Sequence, residues 1–346
     1  MSIFKKFFKN VIHDRDPEDE TVTVKGKPKP KYYGTVSPYP NFSASSDASV
    51  LQSAIESKGV DEDVIISVLV RRNNEQRQKI KAVYEASTGE RLDEALKGAL
   101  RSDFEDVSLA LLMTPAHLDA YLLRKATKGF GTNEEVLVEV LATRSNQEIR
   151  EIKKVFKEEY EQDLEEVIKD ETSGDFATAL LAMLKANKDE THEVDIALAR
   201  KDAEILFEAG ENSAGIDVSA FIDILTTRSG KQLSKTFQQY ACVSDITLPK
   251  ALDMELGGDI EDCLIAIVKC AWNTPAFFAE RLHMAMKGHG TCEDTLTRVL
   301  VSRSEVDLKR IVEEYRAMYD ESLQEHIVRD TEEHYQKILL GLCGPY

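Results

Sequence analysis

The strongest constraint on this chain is that it repeats itself. Arg72-Asn73, Arg144-Ser145, Arg228-Ser229 and Arg303-Ser304 each follow an apolar run (VLVR, VLAT, ILTT and VLVS), at steps of 72, 84 and 75 residues. Downstream, SDFEDVSLALL, GDFATALLAML, GDIEDCLIAIV and EHYQKILLGL recur at matching steps. A period of roughly seventy residues, present four times from about Ser46 to the end, is the signature of a repeat architecture. The extra length between copies two and three falls in the charged connector KANKDETHEVD.

Each copy reads as several short helices. Thr114-Pro115 is a helix start, with a hydroxyl before a first-turn proline. Thr132…Glu135, Ser145…Glu148, Asn73…Gln76, Ser229…Gln232 and Ser304…Asp307 match the capping box, in which two side chains satisfy the free amides of a helix start. Between these starts apolar residues recur at three and four, as in Ile149, Ile152, Val155 and Phe156, and they read as core. No period-two pattern argues for a strand within the repeats, so the fold class is all-α.

The formal net charge of −18 excludes nucleic acid, whose phosphates require a basic face. It also opposes binding to an anionic membrane unless something positive intervenes. The five cysteines (Cys242, Cys263, Cys270, Cys292, Cys343) are irregularly spaced, without a CxxC pair, and read as free thiols in a reducing compartment. No apolar run approaches the ~18 residues of a membrane span, and the amino terminus does not read as a signal peptide.

A second repeated feature carries chemistry. KGFGT spans Lys128 to Thr132, and KGHGT spans Lys287 to Thr291. Glycine permits positive φ, so neighbouring carbonyls can point the same way. Several carbonyl oxygens in one turn favour a hard cation such as calcium, which takes six to eight oxygens in irregular geometry. A carboxylate must come from elsewhere. Thirty-eight residues intervene between Thr132 and Glu171, between Thr291 and Asp330, and between Ile216 of the altered turn AGENSAGID and Glu255.

At this point the sequence resembles the annexin family. The likeness covers all four copies and rests on the KGxGT turn, the acid thirty-eight residues on, and the arginine twelve after the threonine. It implies four repeats of about five short helices arranged as a curved superhelical disc, with boundaries at 46–115, 116–188, 189–273 and 274–346 behind an arm of residues 1–45. It implies several calcium ions. The ligands in copy two would be the carbonyls of Thr127, Gly129 and Gly131 with Glu171. Those in copy four would be Met286, Gly288 and Gly290 with Asp330, and those in copy three Gly210, Ser213 and Gly215 with Glu255. Copy one, where Ala99 replaces the acid, retains only a minor site of Gly59, Val60 and Glu62. Thr132 and Glu134 form a similar minor site. SPYP (37–40), RRNN (71–74) and the copy-three turn narrow the likeness to one branch of the family.

Three carbonyls and a bidentate carboxylate leave coordination positions free for a lipid phosphate oxygen. Such a bridge reconciles the negative chain with anionic phospholipid membranes, and several weak sites acting together make binding steep in calcium. Lys128 and Lys287 are positioned for headgroups and Phe130 for the interface; His289, in the matching place, reads as merely exposed. The recurring arginines read as internal ties.

MSIFKKFFKNVI is expected to form an amphipathic helix over 2–13, too short to stand alone in water and suited to a groove or membrane. The family likeness gives it a calcium-loaded EF-hand partner of the S100 class, contacted through residues 2–12. Residues 14–45 read as linker. The likeness further implies actin contact, roles in exocytosis, phospholipase A2 inhibition by covering its substrate, and a cytoplasmic protein peripheral on plasma membrane and endosomes, with nuclear or signal-free secreted pools. Two rivals remain. One is an enzyme using the glycine turn as a phosphate cradle, for which P-loop spacing and a preceding strand are lacking. The other is a helical scaffold binding proteins only. The sequence favours a non-enzyme.

Overall fold

A computed structural model of the chain describes Phe7, residues 21–24, residues 27–30 and residues 31–345. Five helices form each copy. Copy one comprises α1 (Ala44–Glu56), α2 (Glu62–Val70), α3 (Asn74–Thr88), α4 (Leu92–Ala99) and α5 (Ser102–Leu112). Copy two comprises α6 (Pro115–Thr127), α7 (Glu134–Thr143), α8 (Asn146–Tyr160), α9 (Leu164–Glu171) and α10 (Gly174–Leu184). Copy three has α11 (Ile196–Ala209), α12 (Val218–Thr227), α13 (Gly230–Val243), α14 (Leu248–Glu255) and the first part of α15 (Gly258–Met286). Asn273 breaks α15 with an extended backbone, two residues before Pro275, and the second part opens copy four. That copy continues with α16 (Glu293–Arg303), α17 (Leu308–Tyr319), α18 (Leu323–Asp330) and α19 (Glu333–Cys343). The chain divides into two compact units, Met1–Pro115 with Phe278–Tyr346, and Ala116–Phe277.

The recurring arginines are the internal ties of each copy. Arg72 forks onto Asp47 at 2.6 and 2.9 Å, and Arg144 onto Asp119 at 2.9 Å through both nitrogens. Arg228 does the same with Asp202 at 2.8 and 3.2 Å. In each case the aspartate lies in the first half of the first helix and the arginine just past the end of the second, so the pair ties the two helices of a hairpin together away from the turn. Burial opposes the charge on Arg144, but Asp119 overcomes it and holds the guanidinium pKa above its usual value. Copy four differs. The place of the aspartate is taken by Phe278, whose ring lies 4.5 Å under the Arg303 guanidinium, and Arg303 forks instead onto Asp307 at 2.8 and 2.9 Å.

That diversion explains why Ser304…Asp307 is no capping box: the Asp307 carboxylate is committed to Arg303. The boxes at Asn73…Gln76 and Ser145…Glu148 do form. Ser229 caps α13, but Gln232 turns away to bond both main-chain groups of Asp195. Thr132…Glu135 also fails, because Asn133 caps α7 through Val136 N. Arg77 is a further departure. It occupies the core position filled by Ile149 and Leu233 in copies two and three, and its guanidinium bonds the carbonyls of Leu69 and Leu111 at two helix ends. Burial lowers its pKa to about 10.

Matching asparagines tie copies one and two outward, to copy four and to the connector respectively. Asn74 in the first turn of α3 bonds Met113 O at 2.7 Å, while its amide is capped by Glu305 at 3.0 Å. Asn146 in α8 bonds Lys188 O at 2.7 Å, and Glu190 caps its amide at 2.8 Å.

The stretch expected as linker carries more order than that. Thr21–Val24 (β1) pairs antiparallel with Lys27–Pro30 (β2); the alternating TVTV supplies strand chemistry. Residues 31–40 then lie across both repeats of their unit. Thr35 N and Val36 N donate to Ser304 O at 2.8 and 3.1 Å, and Lys309 N to Tyr33 O at 2.9 Å. Tyr39 exchanges two bonds with Gln76, and its ring stacks 3.5 Å from the Arg72 guanidinium. The arm helix expected over 2–13 lies outside the described residues, except for Phe7, which is helical and buried. No helix among the described residues is long and apolar enough to cross a membrane.

Two outcomes follow from this packing. Arg144→Ala leaves Asp119 charged, buried and alone, and should lower unfolding free energy by about 3–5 kcal/mol in urea denaturation. Burial pushes the Cys263 and Cys343 thiols up to about 12, whereas Cys242 and Cys292 are exposed. A thiol reagent on the native protein should therefore label Cys242 and Cys292 quickly, and Cys263 and Cys343 only after unfolding.

Candidate cation-binding turns

The turn between the first and second helices is closed by one main-chain bond repeated in every copy. Asp61 N meets Ala54 O at 2.9 Å; Asn133 N meets Ala126 O, Asp217 N meets Ala209 O, and Cys292 N meets Ala285 O, each at 2.8 Å. What lies inside that closure differs between copies.

In copies two and four the turn is built on paired glycines with positive φ: Gly129 at 125°, Gly131 at 110°, Gly288 at 106° and Gly290 at 108°. A Cβ would meet nothing at any of them, so backbone conformation is the reason for glycine there, not space. Thr127 and Met286 end their helices, where the last carbonyls lack an intrahelical partner. Among the described residues the carbonyls of Thr127, Gly129, Gly131, Met286, Gly288 and Gly290 receive no hydrogen bond. Lys128 and Lys287 are exposed at the tips, and Phe130 stands free of all packing at 116% relative exposure.

The distant acids come to these turns. Thr132 Oγ1 donates to Glu171 O and Oε2, both at 3.4 Å. Thr291 Oγ1 reaches Asp330 O at 3.1 Å and Oδ2 at 3.5 Å. The threonine hydroxyl thus spans to the end of the fourth helix instead of capping the second. Glu171 is exposed, while Asp330 is hemmed by His326 Nε2 at 3.8 Å and Arg329 Nε at 3.9 Å. Glu134 opens α7 beside Thr132.

Copies three and one are different. Ile216 stands in the threonine position, and Glu255 makes no hydrogen bond to the turn. Gly210 O already accepts Ser213 N at 3.1 Å, and Gly215 O accepts the Ser213 hydroxyl. Glu211, which the sequence reading passed over, is held by the Tyr240 hydroxyl and by Ser244 Oγ at 2.5 Å. Burial, and then that bond, raises the Tyr240 pKa above its usual value. In copy one, Gly59 has φ 81° and its carbonyl accepts Ser57 Oγ at 2.9 Å. Val60 follows it, and Glu62, at the start of α2, faces His334 Nε2 at 3.8 Å.

No group of three or more His, Cys, Asp or Glu side chains among the described residues could hold a metal. What these turns gather is main-chain oxygens with one carboxylate, a hard, all-oxygen set of the kind calcium takes. The annexin family profile matches residues 46–111, 118–183, 201–267 and 277–342, once per copy. This chain belongs to the annexin family. Annexins are known for calcium-dependent phospholipid binding. The chain is 51% identical over 345 residues to annexin A1 of Cavia cutleri, covering 99% of both chains. It is 50% identical over 344 residues to human annexin A1, again covering 99% of each. Among solved structures, annexin III superposes with a TM-score of 0.89 at 46% identity, over 91% of this chain and 98% of that one. A calcium-bound annexin, annexin (Sm)1, superposes with a TM-score of 0.81 at 31% identity, over 91% and 93%.

The Thr132 hydroxyl gives this annexin a local test. Thr132→Val keeps the bulk and deletes two long, solvent-exposed bonds. The urea midpoint should barely move, while calorimetry should show weaker calcium binding at copy two.

Proposed function

We propose that this annexin binds anionic phospholipid surfaces through calcium held in the turns of copies two and four, with copy three and the minor site of copy one contributing less. The observation that carries this is the meeting of the turn and the acid across thirty-eight residues, Thr132 on Glu171 and Thr291 on Asp330, beside carbonyls that nothing else uses. The ligands in copy two are Thr127, Gly129, Gly131 and Glu171, and in copy four Met286, Gly288, Gly290 and Asp330. Gly210, Ser213, Gly215 and Glu255 are the donor set of copy three. Thr132 with Glu134, and Gly59 and Val60 with Glu62, are the minor sets. Bound there, calcium supplies positive charge to a chain of net −18 and open coordination positions for phosphate oxygens.

The chain's own residues do the rest. One carboxylate per turn is little negative charge, so affinity for the ion alone is low and a lipid oxygen is needed to complete the shell. Lys128 and Lys287 add attraction to headgroups from the exposed tips. Phe130, bare in water, gains roughly 1.5–3 kcal/mol on entering the interface. The role is binding, without catalysis, at cytoplasmic membrane faces. The amino-terminal arm is proposed to recruit an S100-type EF-hand protein through residues 2–12 or to engage a second membrane. Actin contact, exocytosis, and inhibition of phospholipase A2 by covering its substrate belong to the same reading.

Sedimentation with phosphatidylserine vesicles tests it. The protein should pellet in calcium and be released by chelator. Glu171→Gln with Asp330→Gln should abolish most pelleting at the same calcium concentration. Phe130→Ala should weaken it by about tenfold or more, in line with the burial lost. Calcium-independent pelleting, or full pelleting by the double amide variant, would overturn the proposal.

A further inference from the structure

The four turns differ at one position in a way that sorts them. Two residues before the last glycine, copies two and four carry glycine: Gly129 before Gly131, and Gly288 before Gly290. Copies one and three carry serine there: Ser57 before Gly59, and Ser213 before Gly215. In both serine copies the hydroxyl folds forward and donates to the carbonyl of the glycine two residues on, Ser57 Oγ to Gly59 O at 2.9 Å and Ser213 Oγ to Gly215 O. In copy three the serine is bound doubly, since Gly215 N returns a bond to Ser213 Oγ at 3.2 Å.

We infer that Ser57 and Ser213 are built-in caps that compete with the cation for the turn carbonyls, making copies one and three latent sites and copies two and four open ones. The inference rests on the reading of these turns as calcium sites. A carbonyl oxygen that accepts an O–H or N–H presents its partner's positive hydrogen to the place where a dication would sit. Like polarity repels, so the ion binds only when the donor swings away. In copy three, Gly215 O is taken by the hydroxyl and Gly210 O by Ser213 N at 3.1 Å, so two of the three proposed carbonyls are engaged by one residue. The hydroxyl part is removable by substitution. The glycine copies have no side chain at this position that could form such a cap, and their carbonyls are open.

A second difference acts in the same direction. The threonine that tethers the acid in copies two and four is Val60 in copy one and Ile216 in copy three. Glu255 is therefore neither tied to its turn nor helped by carbonyls already free. The protein would fill its open turns first and its capped turns only at higher calcium, so that the two classes titrate separately.

Calorimetric calcium titration of the full-length protein with phosphatidylserine vesicles present tests this. The Glu171→Gln/Asp330→Gln background leaves copies one and three, with the minor Thr132 and Glu134 set, as the sites read. Adding Ser213→Ala should tighten the remaining binding about three- to tenfold, the net worth of one exposed hydrogen bond, and Ser213→Gly should do the same. Ser213→Thr, which keeps the hydroxyl, should show less of this gain than Ser213→Ala. Glu255→Gln should erase the gain, and Ser57→Ala should give its own gain, independent of Glu255. Unchanged or weaker binding in both Ser213→Ala and Ser213→Gly, with native circular dichroism, would overturn the cap while leaving the cation reading intact. Failure of the unaltered protein to take up any calcium would overturn both.

Discussion

In copies one to three, the fork between an arginine and an aspartate twenty-five or twenty-six residues upstream is what the rest of the repeat depends on. It ties the first two helices of the hairpin together away from the turn. The turn at the other end is then held by its flanking helices and by one main-chain bond, and needs no side chain of its own in the core. That freedom is why the turn can consist of glycines whose carbonyls receive no hydrogen bond among the described residues. In copies one and two both charges of the fork are buried, so it tolerates loss of neither partner, whereas the Arg228 side chain of copy three keeps 27% exposure. Copy four shows the constraint from the other side: with Phe278 in the aspartate position, Arg303 recruits Asp307, and a helix cap is given up to keep the arginine paired.

The chain carries a large negative charge yet reads as a membrane binder. In the proposed reading the turns reconcile the two, with neutral carbonyls for most of the cation shell and a single carboxylate from another helix. Distributing the donors in this way keeps affinity for the free ion low and leaves room for phosphate oxygens. Exposed tips then differ in what they add: an unburied phenylalanine in copy two, a histidine in copy four, and neither in copy three. The same turn position decides whether the carbonyls are open or already taken by a serine.

Much of this was legible in order along the chain. The fourfold period, the helical spacing and the offset between turn and acid all survive as simple counts. The partners of the arginines were not seen, though the aspartate twenty-five residues before Arg72 and Arg144 is a count of the same kind. Thr132 has the spacing of a capping box because a glutamate follows at the right distance, but Asn133 takes the cap, and the hydroxyl goes to Glu171. The segment at 31–40 looks like linker because it lacks apolar periodicity. Its order comes instead from main-chain bonds to Ser304 and from tyrosine rings on Arg72 and Arg310, which no periodicity reports.

By itself the sequence determined the number of copies, their helical character, the glycine turns and which copies own an acid at the right offset. These depend on local conformation and on spacing, both written in one dimension. Only the tertiary structure decided which oxygens are available. Whether a carbonyl is bare or bonded to Ser57 or Ser213, and whether an acid is tethered by threonine or crowded by His326 and Arg329, depends on groups brought together by the close of a turn or the packing of helices. Those contacts are differences of an ångström or two, and residue identity alone does not specify them.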